Sequence, residues 1–183
     1  MAHYAQMMSK PEPGTAAPDP VYLHPAVVRV RLALEGLGAT GRIRVLDEHA
    51  RTAALAADQL GVEVGAIANS LVFALPDPHS VRGRSPLLVL TSGAHRVDTG
   101  HVADQLGVER LEQADADFVR ASTGFVIGGV PPVGHPHPLR TLVDVTLASY
   151  QQVWAAAGHP KAVFPTHYDE LLRITAGHPV EVT

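Results

Sequence analysis

The chain has 183 residues, 46% hydrophobic and 17% charged, with 14 basic against 18 acidic side chains and no cysteine. That length suits one domain with a full core; the missing cysteines exclude disulfides, thiolate metal sites and a cysteine nucleophile, and a net charge of −4 argues against gripping DNA or any extended nucleic acid. No apolar run approaches the ~20 residues of a membrane span, and the opening MAHYAQMMSKPEPGTAAPDP has neither a signal core nor an Arg-rich amphipathic pattern, so cytoplasmic residence is expected.

Residues 1–21 hold four prolines and no apolar period, and read as a disordered tail before a single folded domain at 22–183. From Pro25, apolar Val27, Val30, Leu34 and Leu37 recur at helical spacing until Gly38. RIRVL at 42–46 alternates like a half-buried strand, and Thr52 is placed to cap a helix that ends at Gly61. SLVFAL (70–75) and PLLVL (86–90) read as strands of one long hairpin, joined by the turn-rich PDPHSVRGRS.

Asp98 or Thr99 caps a helix running to Gly107, and Asp115 caps another running to Gly124. FVIGGVPPVGHPHP (125–138) reads as a strand end entering a Gly/Pro-rich loop, with LRTLVDV (139–145) as the strand beyond it. VWAAAG and KAVFPT form a hairpin around His159 and Pro160. Thr166 is expected to cap a last helix through Leu171 and Leu172 to Gly177, with PVEVT as an edge strand. About seven strands and five helices result, and two strand pairs have links too short for a parallel crossover. The expected fold is α/β of the α+β type: a mixed, curved, partly closed central sheet with helices packed outside.

The chain lacks a Walker-type loop, a GxSxG elbow and an HExxH pair. In the segment from Thr123 to Gly134, the backbone N–H groups of Gly128, Gly129 and Val130 precede Pro131 and Pro132, which stiffen the chain. Such a loop can aim donors at a carbonyl oxygen, as acyl-transfer sites do, or can be a plain tight turn. His135 and His137, with His95, His101 or His159, are a conceivable zinc set, and Ser92 with His95 and an Asp a conceivable triad; both lack the usual sequence context, and no metal or other cofactor is expected. Arg29, Arg31, Arg42, Arg44 and Arg51 make the first half the better anionic contact, unless they form an ordinary solvated face.

Four ordered segments, LGVEVGAIANSLVF (60–73), LLVLTSGAHRVD (87–98), LGVERLEQADADFVRASTGFVIGGVPPVG (106–134) and LVDVTL (142–147), resemble the YbaK/EbsC family and the inserted editing domain of bacterial prolyl-tRNA synthetase. The likeness runs from about residue 24 to the C-terminus. It implies a free-standing trans-editing deacylase that cleaves the ester of a mischarged tRNA. Its partners would be the aminoacyl-tRNA acceptor end and, further, a synthetase, with no membrane involved. The resemblance assigns the acyl carbonyl to the loop of Gly128, Gly129, Val130 and Pro132. Where these relatives carry a central lysine this chain has Asn69, which hydrogen-bonds but has no charge. Asn69 can orient the ester for a water or a substrate hydroxyl; alternatively, the protein binds aminoacyl-tRNA or aminoacyl-adenosine with little turnover. By the same resemblance Ser70 is a pocket position and His49 lines the side-chain pocket, unless it is a surface histidine. Ser92 and Gly93, at the end of a central strand, either meet the acceptor end with their backbone or form a plain strand-to-loop turn, and His135 is either a substrate contact or part of a polar loop beside the pocket. Asp144 either accepts the substrate's α-amino group or caps a helix.

Overall fold

A computed structural model describes residues 18–80 and 83–183, so most of the expected tail and two residues of the hairpin turn lie outside the described residues. Helix α1 (Pro25–Gly36) starts where Pro25 pre-sets its first turn, and it buries Val27, Val30 and Leu34 at spacings of three and four. A short strand β1 (Arg44–Val45) leads to α2 (Ala53–Leu60), capped by Thr52 Oγ1 on the Leu55 amide and closed by Gly61 at φ 68°. The long hairpin is β2 (Ile67–Pro76) and β3 (Arg84–Ser92). Then come α3 (Thr99–Leu106), capped by Asp98, a two-residue β4 (Glu112–Gln113), and α4 (Ala116–Thr123), capped by Asp115. Strand β5 (Arg140–Asp144), hairpin β6 (Val153–His159) and β7 (Ala162–Thr166), α5 (Tyr168–Thr175) and β8 (His178–Val180) complete the chain.

Three local expectations need correction. Residues 125–138 contain no strand. The cap of α5 is His167, whose Nδ1 accepts from the Glu170 amide, because the Thr166 hydroxyl is engaged in donating to Glu170 Oε2 at 2.7 Å. That helix ends on Ala176 at φ 48°, one residue before Gly177.

The strands form one mixed sheet in the order β1-β7-β6-β2-β3-β5-β8; it is curved and remains open between β1 and β8. Pairs β1–β7, β7–β6 and β2–β3 are antiparallel, whereas β6–β2, β3–β5 and β5–β8 are parallel. Alternation along β2 divides the core. Ala68, Val72 and Ala74 pack with α1, α4 and α5, while Phe73 and Leu75 pack with Val102 and Ala103 of α3. Ile67 joins Trp154, Val163 and the α2 residues Ala56 and Ala57. Each large side chain buried this way stabilises by about 1.5–3 kcal/mol.

One edge of β2 is only partly paired. β6 meets it at Ile67 and Ala68, β4 meets it at Phe73 and Ala74, and neither reaches residues 69–72. The Gly/Pro loop seats beside this gap against the end of β6. There Gly158 has φ 90°, and an added Cβ would stand 2.8 Å from Ala26 O and 3.0 Å from Phe125 Cε1. Gly158→Ala should therefore lose about 1–3 kcal/mol of unfolding free energy in chemical denaturation. Gly36→Ala, in open space at the end of α1, should be neutral or stabilise by up to about 1 kcal/mol.

Candidate functional site

The gap in β2 opens a cavity of about 300 Å³. Its floor is β2 from Ile67 to Leu71, one wall is the start of α2 with Arg51 and Thr52, and the opposite wall is Ile127, Gly128 and Val130. Trp154 and His159 of β6 close the end. A smaller pocket of about 150 Å³ shares Ser70, Gly128 and Val130 and adds the apolar Val72, Ala114 and Val119.

Asn69 and Ser70 are neighbours on a strand, so their side chains leave opposite faces of the sheet, and the missing partner strand lets both border the cavity. Asn69 is exposed there, and Ser70 Oγ is buried without a hydrogen-bond partner. The loop departs from expectation at one donor. The Gly129 N–H closes a turn on Val126 O at 3.1 Å, with Gly128 at φ 88° in the position that favours glycine. Among the described residues, the N–H groups of Gly128 and Val130 have no acceptor, leaving these two as available donors. Gly129 instead packs against the backbone at Gly158 and His159, where an added Cβ would approach to 3.3 Å.

At that end, the His159 ring lies 5.1 Å from that of His24 and 5.6 Å, edge-on, from that of His49. Burial, reinforced by His24, His49 and Lys161, lowers the His159 pKa, so the neutral ring is favoured. His159 Nδ1 accepts the Lys161 amide at 3.1 Å, so the neutral ring carries its proton on Nε2.

Other expected site residues lie elsewhere. Asp144 is 1% exposed, and its carboxylate accepts from Thr91 Oγ1 (3.2 Å), the Ser92 amide (3.0 Å) and the Thr146 amide (2.9 Å), with His95 Nδ1 at 3.0 Å. These contacts occupy its acceptor sites and cap the 3-10 turn Val145–Ser149, so the capping alternative describes it, and it is not among the residues lining the cavity. Ser92 is fully buried and its hydroxyl donates to Gly65 O at 2.9 Å, which leaves the His95–Asp144 pair without a serine nucleophile. Gly93 lies so close to Val64 O that an added Cβ would stand 2.4 Å away; it packs the hairpin end against the chain before β2.

Pro132 and His135 border a separate groove beside Arg173. Among the described residues, no three His, Asp or Glu side chains converge as a metal site. Arg51, named from the sequence only among five anionic contacts, and His159, named only as a conceivable zinc ligand, line the cavity together with Trp154, which no pattern marked.

His135 packs edge-on against Phe125 at 5.8 Å, and burial lowers its pKa below the ordinary 6.5. The unfolded chain therefore binds more protons, and the stability held above pH 6.5 is lost as pH falls. Unfolding free energy should drop between pH 7.5 and 5.5, and His135→Gln should flatten the drop, with His159 sustaining the remainder.

The chain belongs to the aminoacyl-tRNA editing domain family, whose pattern matches residues 47–174. It is 24% identical to EbsC of Enterococcus faecalis, described as a candidate Cys-tRNA(Pro)/Cys-tRNA(Cys) deacylase, across 69% of this chain and 74% of that protein. It is also 30% identical to the uncharacterized protein YwhH of Bacillus subtilis, over 56% of this chain and 61% of YwhH. The crystal structure of a candidate trans-editing enzyme for prolyl-tRNA synthetase superposes with a TM-score of 0.76 and 40% identity, covering 87% of this chain and 97% of the other. Among the described residues, no helix is long and apolar enough to cross a membrane.

Proposed function

We propose that this protein is a trans-editing aminoacyl-tRNA deacylase, acting in the cytoplasm on the acceptor end of a mischarged tRNA after it leaves its synthetase. The observation that carries the reading is that Asn69, Ser70, Gly128 and Val130, drawn from distant parts of the chain, line one cavity at the open edge of β2. Family membership and the EbsC and trans-editing relatives support it.

In the proposed reaction the acyl carbonyl lies against the Gly128 and Val130 amides, which stabilise the oxyanion as water adds to the carbonyl carbon. The bond to the terminal ribose oxygen then breaks, releasing the amino acid and the free ribose hydroxyl. No carboxylate lines the cavity among the described residues, and His159 Nδ1 is already an acceptor. The attacking water therefore gives its proton to the substrate's neighbouring ribose hydroxyl as that hydroxyl passes its own proton to the departing ester oxygen, which leaves as a hydroxyl, with Asn69 orienting the pair through its carboxamide.

Deacylation of a panel of mischarged tRNAs tests this reading. The wild type should release at least one amino acid above background, and Asn69→Ala should lower kcat/KM at least tenfold, the equivalent of about 1.4 kcal/mol or more in the transition state. No release by the wild type across the panel, with release by Asn69→Lys, would replace the enzyme with a binding protein of the same fold.

A further inference from the structure

The cavity has an electrostatic polarity that the reaction as proposed does not use. Arg51 is the one permanently charged side chain among the described residues that line it, and no acidic side chain does. Arg51 is exposed and makes no ion pair or side-chain hydrogen bond among the described residues. Its backbone is nonetheless anchored. The Ala50 amide donates to Pro160 O at 2.9 Å, the Leu46 amide to Lys161 O at 2.7 Å, and Gln59 exchanges two hydrogen bonds with the backbone of Glu48. An unpaired Arg51 side chain thus springs from anchored chain at the lining of the cavity.

Donors converge on the same wall. Arg51 immediately precedes α2, whose residues Thr52 and Ala53 also line the cavity. Thr52 satisfies the Leu55 amide, and the Ala53 and Ala54 amides have no acceptor among the described residues. Such a helix end attracts anions through its free N–H groups and its dipole. An independent observation lies beneath it. Trp154, which packs with Ala56 and Ala57 and lines this wall, is 8% exposed, and its indole N–H has no hydrogen-bond partner. A buried donor left unpaired costs about 1–3 kcal/mol, and among the described residues the protein supplies no acceptor for it.

We infer that the α2 end of the cavity is a phosphate subsite, in which Arg51 and the first turn of α2 hold the phosphate on the 5′ side of the terminal nucleotide. The inference rests on the deacylase reading and deepens it. The guanidinium fork suits a phosphate's paired oxygens, and the helix end supplies further donors. The ester then projects from this end toward Gly128, and the small apolar pocket around Val72, Ala114 and Val119 receives a compact amino-acid side chain.

Calorimetry with two uncleavable probes tests the subsite: 3′-alanylamino-3′-deoxyadenosine and the same compound carrying a 5′-phosphate. The phosphate should tighten binding to the wild type at least tenfold, and the gain should shrink as salt rises. Arg51→Gln should abolish the gain while leaving the unphosphorylated probe within about twofold of its wild-type affinity, and Arg51→Lys should restore part of it. Equal affinity of the wild type for both probes, or a gain that survives Arg51→Gln, overturns the subsite and leaves the deacylase reading standing. Failure of both probes to bind overturns both.

Discussion

Everything at the site follows from a strand whose partners run out. β2 is fully paired with β3 along one edge, but on the other β6 and β4 each cover two residues and leave residues 69–72 between them. Because the Gly93 amide donates to Ile67 O on the β3 side, strand alternation turns the N–H and C=O of Ser70 toward the uncovered edge. An open strand edge is usually blunted by charge, proline or a covering element. Here the covering element is a glycine-bearing loop that stands off far enough to leave a space.

The loop keeps that distance because it is fixed from several sides. Val130 and Val133 enter the main core, and Gly129 rests on the backbone of Gly158 and His159. Phe125 lies beneath the guanidinium of Arg29 at 4.0 Å, and that guanidinium also donates to Gly124 O at 2.7 Å. Ile127, 61% exposed, is left at the tip. At the C-terminal end of the molecule, Glu170 performs a similar fixing role. Burial alone would favour its acid form, but hydrogen bonds from the Thr166 hydroxyl and from the amide and hydroxyl of Thr40 outweigh this and hold it ionised.

Helix limits were the most legible features of the sequence, because a cap is a local chemical event. Thr52, Asp98 and Asp115 each accept an amide of the first turn, and Gly61, Gly107 and Gly124 each take positive φ. Thr166 misled because a hydroxyl can serve a buried carboxylate as readily as an amide, and the sequence does not disclose where Glu170 lies. β4 was illegible for another reason. Glu112 and Gln113 carry no apolar signal, and they form a strand only because β2 is there to receive them. The interruption of β2 is therefore a property of three distant segments, and SLVFAL alone cannot reveal it. The same limit explains the site. The resemblance singled out Asn69, Ser70 and the loop, which line one cavity, but it does not disclose which polar groups the protein itself occupies. Asp144 and Ser92 are consumed by internal hydrogen bonds, while Arg51, Trp154 and His159 come to the cavity by packing.

The position of Trp154 has a practical consequence. It is the one tryptophan in the sequence, so all indole emission originates in the wall of the cavity. An indole held in apolar surroundings emits toward the blue, and its spectrum responds when a polar group or water reaches the ring. The unmodified protein thus carries an optical gauge of its own occupancy, readable in real time without dye or tag.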